Sequence, residues 1–271
     1  MPCWNPSDYH RHSTSQQIWA RELIEKLRLT GQERVLDIGS GDGKVSAEIA
    51  ECLPRGSVVG VDSSAEMIRF ANKQYPAERH PRLHFELADA RQLQFRERFD
   101  VVFSSATLHW VIDHRPVLAG IGRALVAGGR ALLQMGGQGN AAGVVEAAGD
   151  LIAQHQWGHL FEGFSFPYGF YGPDTYRPWV ESAGLRPVRI ELLPKDMTLP
   201  GVEPLRGWVR TTWLPYLERV PPERRSEFVD ELVTRYVGRH PLDAEGCVHV
   251  AMVRLEAELV KDDCTDDTPL C

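Results

Sequence analysis

The chain has 271 residues, 43% of them apolar and 25% charged, with a formal net charge of −7. That balance describes an ordinary soluble globular protein whose core needs no disulfide or metal staple. It argues against a nucleic-acid-binding protein, which needs a clustered basic face, and no apolar run of about 18 residues is present to span a membrane.

In residues 15–28, SQQIWARELIEKLR, apolar side chains recur at Ile18, Trp19, Leu23, Ile24 and Leu27, which predicts an amphipathic helix. With the segment before it, this forms an N-terminal lid over 1–30. Strand and helix signals then alternate through a core predicted over 31–138. RVLDI (34–38) reads as a strand, KVSAEIAECL (44–53) as a helix, SVVGVD (57–62) as a strand and AEMIRFANKQY (65–75) as a helix stopped by Pro76. LHFELAD (83–89) and FDVVFSS (99–105) are further strands, followed by a helix over 114–129 and the strand RALLQM (130–135). Beyond Met135 the text changes to a cap over 139–245. The cap contains helical stretches, an aromatic Gly/Pro-rich loop around 161–179, and one returning core strand near 185–193. CVHVAMVRLEAEL predicts a closing strand over 246–260, and the acidic tail 261–271 is expected to be disordered. The expected fold is α/β: a doubly wound, mainly parallel seven-stranded sheet with a helical cap inserted late.

Five scattered cysteines (Cys3, Cys52, Cys247, Cys264, Cys271), odd in number and without a C-x-x-C pair, read as reduced thiols. MPCWNPSDYHRHSTSQQ has no apolar signal core, so a cytoplasmic location is expected.

The chemistry concentrates in ERVLDIGSGDGK. Gly39, Gly41 and Gly43 let the backbone turn sharply at the carboxyl end of the first strand, where open α/β sheets bind ligands. The dinucleotide pattern G-x-G-x-x-G requires glycine where Lys44 stands, and the phosphate loop fails at Ile38 and Val45. Asp37 at the strand end repels pyrophosphate and attracts an ammonium group. Asp62 closes the second strand, suited to the hydroxyls of a ribose, and Asp89 closes the third, suited to an adenine amino group. An amine, a ribose and an adenine without phosphates describe S-adenosylmethionine.

VLDIGSGDGK, GVDSSAEMI, ADA and FDVVFSSATLHW, in this order, resemble the class I S-adenosylmethionine-dependent methyltransferases. The resemblance implies that Asp37, Gly39, Ser40 and Gly41 would hold the amino-acid part and Asp62 and Ser63 the ribose. Met67 would flank the adenine, Asp89 and Ala90 would address its edge, and Ser105 would line the cofactor after the fourth strand. WNPSDYHRHSTSQQIWARELI, TLHWVIDH, GWVRTTWLPYL and RYVGRHPLDAEGCVHVAMVRLEAEL narrow the likeness to the trans-aconitate methyltransferase family, over nearly the whole chain. Relatives that methylate a malonyl carrier protein or juvenile hormone acids share the N-terminal Gln and the L-[QH]-W motif. All of these esterify carboxylates.

The implied reaction is O-methylation of a small or carrier-bound acid by in-line transfer, which needs orientation and no general base. Gln16, His109 and Trp110 are the orienting candidates; Tyr9, Gln16, Trp110 and Arg210 the substrate candidates. A hydroxyl, nitrogen or carbon acceptor with His109 as base is the alternative chemistry. A non-catalytic cofactor-binding scaffold is the alternative of another class. His155 and His159 lack the H-E-x-x-H pattern, because Gln156 replaces the Glu, so no metal is expected.

Overall fold

The computed structural model describes residues 14–262. Helix α1 (Thr14–Leu27) buries Trp19, Leu23 and Leu27, one stripe at four-residue spacing, and so docks along a single face. The alternating section follows as β1 (Arg34–Ile38), α2 (Lys44–Glu51), β2 (Ser57–Asp62), α3 (Ala65–Gln74), β3 (Leu83–Leu87) and β4 (Phe99–Ser105). Next come α4 (Arg115–Ala124), β5 (Leu125–Gly136), α5 (Ala142–Ile152), α6 (His155–Gly158) and α7 (Pro173–Ser182). The chain closes with β6 (Arg186–Pro200), α8 (Val202–Thr212), α9 (Leu214–Leu217), α10 (Arg225–Arg239) and β7 (Cys247–Val260).

The strands form one seven-stranded sheet in the order β3-β2-β1-β4-β5-β7-β6. β1 to β5 pair in parallel, and β7 runs antiparallel to both β5 and β6. This is the expected doubly wound, mainly parallel sheet. The central strands are apolar on both faces because helices cover both: Val35, Leu36, Val58, Val101, Val102 and Phe103 are nearly inaccessible to solvent. The chain steps from β1 outward to β2 and later back across to β4. The carboxyl ends of β1 and β4 therefore open a crevice at this switch of direction.

Several boundaries differ from the sequence reading, each for a local reason. The helix expected over 114–129 ends at Ala124, and Leu125 already pairs with Phe99; the Gly128–Gly129 pair is an irregular turn inside β5, with Gly128 at φ +70. Part of the aromatic stretch expected as loop is α7, which starts with Pro173 at its first turn, where a missing N–H costs nothing. β6 continues past residue 193 to Pro200, because β7 pairs with it along its whole length.

A separate aromatic core holds the cap together. Trp157, Phe161, Tyr216 and Phe228 pack with Val144, Leu151, Leu205 and Leu232 from α5, α8 and α10. The outer half of the β6–β7 hairpin joins this core through Met197, Val248, Val250 and Met252. Phe228 is fully buried in edge-to-face contact with Trp157, so its truncation to Ala costs about 3–5 kcal/mol. Among the described residues, no helix is long and apolar enough to cross a membrane.

Candidate active site

The loop between β1 and α2 is fixed by its own backbone. The amides of Gly39 and Ser40 donate to the Val61 carbonyl at 2.7 and 3.0 Å, tying the turn to the end of β2. Gly39 has φ +80, and a Cβ there would lie 2.1 Å from Thr107, so only glycine fits. Thr107 Oγ1 donates to the Gly39 carbonyl (3.2 Å), and Ser104 Oγ donates to the Ile38 carbonyl (2.8 Å). β4 thereby clamps the loop from the other side.

Asp62 braces the next turn. One carboxylate oxygen accepts from the Gly41 amide (3.0 Å) and the other from the Ser64 amide (2.8 Å), while Ser64 caps α3 by accepting from the Met67 amide. Burial pushes the Asp62 carboxyl above the usual range, against the pull of these amides. Asp89 accepts from the amide and guanidinium of Arg91; the guanidinium hydrogen bonds, helped by the amide and the positive charge, hold its carboxyl below the usual range despite partial burial.

These elements enclose one cavity of about 810 Å³ between the carboxyl edge of the sheet and the cap. Its size lies near the top of the roughly 300–1,000 Å³ typical of a ligand site, as expected for two ligands held side by side. Gly39, Gly41, Asp62, Ser63, Met67, Asp89 and Ala90 line its sheet side. His109 and Trp110, on the short helical turn after β4, form part of the opposite wall.

Four of the expected site residues lie elsewhere. Asp37 is 2% exposed behind the loop and accepts from Ser46 Oγ at 2.6 Å; burial, and to a lesser degree Asp62, push its carboxyl up to about 7. Ser40 turns toward β2, against Gly60, its buried hydroxyl without a hydrogen-bond partner among the described residues. Ser105 offers its carbonyl to Thr107 and does not line the cavity. Arg210 is exposed on α8 and is not among the cavity's lining residues; its neighbours Trp208, Thr212 and Trp213 are the residues of GWVRTTW that line the wall. Tyr9 lies outside the described residues. Gln16 is described only as a position on α1.

Sequence reasoning missed Arg254. It sits on β7 opposite Gly136 of β5, is 5% exposed, lines the cavity, and its guanidinium lies 4.4 Å above the Trp19 ring of α1. A charge inside a strand buried on both faces is costly unless it is partnered, and that anomaly in VAMVRLEAEL was the available signal. Its charge, together with burial and the neighbouring His114, lowers the His109 pKa to about 3, burial being the largest cause. The Gly136 amide donates to His109 Nδ1 at 3.3 Å, so the single ring proton sits on Nε2.

The cavity therefore has two chemical halves. Carboxylates and glycine backbone line the sheet side, a donor set wrong for a pyrophosphate and right for a ribose diol, an exocyclic amine and an ammonium group. Aromatic rings, Arg254 and a neutral His109 line the cap side. Among the described residues no group of three or more His, Cys, Asp or Glu side chains is arranged to hold a metal.

Comparison with known proteins agrees with this division. A family described as a methyltransferase domain matches residues 35–129, the part that builds the acidic half. The trans-aconitate 2-methyltransferase of Deinococcus radiodurans is 31% identical, over 84% of this chain and 87% of that protein. Its namesake from Streptomyces coelicolor is 29% identical, over 90% and 82%. Among solved structures, the YcgJ protein of Bacillus subtilis superimposes with a TM-score of 0.62 at 17% identity, over 91% of this chain and 99% of that one. A phosphoethanolamine N-methyltransferase of Haemonchus contortus, solved with S-adenosylmethionine, has a TM-score of 0.60 at 18% identity, over 95% and 57%. The chain belongs to the class I S-adenosylmethionine-dependent methyltransferases and resembles the trans-aconitate 2-methyltransferases among them.

Proposed function

We propose that this enzyme esterifies the carboxylate of a small organic or acyl-type acid. The observation that carries the reading is the cap-side corner of the cavity, where a neutral His109 presents its Nε2–H as a donor and no ring nitrogen as a base. Bound along the acidic half, S-adenosylmethionine supplies an electrophilic methyl group on a sulfonium centre. A carboxylate acceptor is already ionised at pH 7, with a reference pKa near 4, so the chain has only to hold and aim it. His109 Nε2–H can donate to the carboxylate, and the nearby Arg254 guanidinium adds positive charge to the same wall. As the carbon–oxygen bond forms, the carbon–sulfur pair stays on sulfur, leaving a neutral thioether; no proton moves. Approach to about 3–3.5 Å in line is then the main contribution of the protein. The relatives named trans-aconitate 2-methyltransferase, a name that describes action on an organic acid, support the assignment.

A hydroxyl or amine acceptor would require His109 as base. Its Nδ1 accepts the Gly136 amide and its Nε2 carries the proton, so neither nitrogen stands ready. The test is a panel of acids, phenols and amines with labelled cofactor, read by gain of one methyl group. Acids should be methylated at a rate nearly flat between about pH 6 and 8. His109→Ala should lower turnover about 10- to 100-fold, the loss of one hydrogen bond to a charged group, without changing that profile. A preferred phenol or amine, with a one-proton fall that His109→Ala abolishes, would overturn the reading.

A further inference from the structure

The turn after β5 carries a polar group that the reaction described above does not use. It is anchored to β7 through a single residue: the Gly137 amide donates to the Val253 carbonyl (2.9 Å), and the Val253 amide donates back to Asn140 Oδ1 (3.1 Å). The Asn140 amide closes the turn on the Gly137 carbonyl (2.9 Å), and Gly139 at φ +83 lets the backbone reverse. Asn140 is thus held through both backbone and side chain. The bond from Val253 also fixes which end of its amide is which, because an N–H must meet the oxygen.

The other end is left over. Asn140 is 6% exposed and lines the cavity, yet its Nδ2 makes no hydrogen bond among the described residues. Buried amides are normally satisfied, and leaving a donor unmade is costly. A Cβ on Gly136 would come within 2.9 Å of Nδ2, so the glycine leaves room for it, and the same Gly136 donates its own amide to His109 Nδ1. A residue that only held the loop would need the oxygen alone.

A second feature meets Asn140 at the wall. Helix α5 begins at Ala142, and Ala141 before it also lines the cavity. No side chain caps this helix and its first turn holds no acid, so its positive end goes uncompensated there. Asn140 follows β5, whereas Asp62 and Asp89 of the cofactor half close β2 and β3 across the sheet. Resting on the carboxylate reading above, we propose that Asn140 is an acceptor-binding residue whose Nδ2 donates to the carboxylate oxygen that is not methylated.

The test is Asn140→Asp, which keeps an oxygen for Val253 and replaces the donor with a second acceptor. The probes are succinate, trans-aconitate, octanoate and 3-phenylpropanoate, with 1-octanol and octylamine beside them. Labelled cofactor reads turnover, and calorimetric titration in the presence of S-adenosylhomocysteine reads binding. For the acid that the parent methylates best, kcat/KM should fall about 10- to 100-fold, mainly through KM, while affinity for S-adenosylmethionine stays within about twofold. Parental kcat/KM in the variant, or a cofactor affinity that falls in step with the acid's, overturns the proposal and leaves the carboxylate reading standing. Should the variant not fold, the parent decides. Its asparagines are Asn5, Asn72 and Asn140, so isotope labelling of asparagine nitrogen gives three side-chain amide signals, told apart by Asn5→Ser and Asn72→Ser. The Asn140 signal should move on addition of the acid to the complex with S-adenosylhomocysteine, and a stationary signal overturns the proposal. Failure of the carboxylate reading shows in the parent's turnover instead: methylation of the alcohol or amine in place of the acids, or neither turnover nor binding with any acid, overturns both.

Discussion

Burial pushes the Asp37 carboxyl up to about 7 even though Ser46 Oγ donates to it, and the neighbouring Asp62 adds to the shift. The native state therefore holds a proton that the unfolded chain, near its ordinary value of 3.8, has already lost. With fewer protons on the unfolded chain, stability falls as pH rises from about 4 to about 7, and the full penalty persists above that. A cation bound beyond Ile38 and Gly39 would relieve it by drawing the carboxyl down again. Asp37→Asn keeps a partner for Ser46 and removes the charge. Its ligand-free melting temperature should exceed that of the parent at pH 8 and converge with it below about pH 4. Its affinity for S-adenosylmethionine should fall several-fold, because the buried carboxyl acts on a bound cation through the loop and not by direct contact. The parent, titrated calorimetrically in buffers of different ionisation enthalpy near pH 7, should release protons on binding. Equal affinity in the variant, with no proton release, would remove Asp37 from cofactor recognition. The glycines and carboxylates of this half were legible in the sequence because the contacts that shape them are local or one strand away. Arg254 was not, because its role depends on β7 lying beside β5, a pairing between distant parts of the chain.

At the scale of elements, the β6–β7 hairpin links cavity and cap. β6 is an edge strand, bonded only to β7, and so it tolerates Pro187, Pro194 and Pro200, which a central strand would reject. These prolines and the charges of Lys195 and Asp196 hid its second half from the sequence reading, whereas the apolar alternation of β7 was plain. At the outer end of the hairpin, His249 on β7 places Nδ1 2.6 Å from Asp196 of β6 and Nε2 2.8 Å from Asp243. A ring with an acceptor on both nitrogens is best satisfied when doubly protonated. The hydrogen bonds to Asp243 and then Asp196 accordingly raise its pKa above the ordinary 6.5. For a raised histidine the native state holds the extra proton. The stabilisation is complete below the unfolded value of 6.5 and is lost as pH climbs through the higher folded value. All three groups are substantially solvated, so the effect is local. After correction for the intrinsic pH dependence of exchange, the amides of 243–250 should lose protection faster above neutrality than those of β1. His249→Gln should remove that difference, and a pH-independent difference would show that the clasp has no ionic part.

The whole molecule is tied together at Glu256. This carboxylate is fully buried on β7, and it accepts from Lys26 of α1 (2.7 and 2.9 Å), Gln134 of β5 (2.8 Å) and Arg189 of β6. Burial alone would raise its pKa, but the donors outweigh burial and leave it below the ordinary carboxylate range. Glu256 and Arg254 are two residues apart, hence on one face of β7. Lys26 and Trp19 are seven apart, hence on one face of α1. The helix is thus pinned along the strand at two points, Lys26 on Glu256 and Trp19 under Arg254. Loosening the first pin should be felt at the second. Glu256→Gln removes the charge while keeping the shape; the remaining cations, Lys26 and Arg189, still reach water. The loss should be about 1–3 kcal/mol rather than that of a stranded buried charge. Because the acidic half of the cavity is braced by β2 and β4 and not by α1, calorimetric affinity for S-adenosylmethionine should stay within about twofold of the parent. The KM for the acid should rise several-fold as Arg254 loses its aromatic support. Loss of cofactor affinity in step with the acceptor would show that the sheet had moved as a whole, and the two halves of the site would then not be separable.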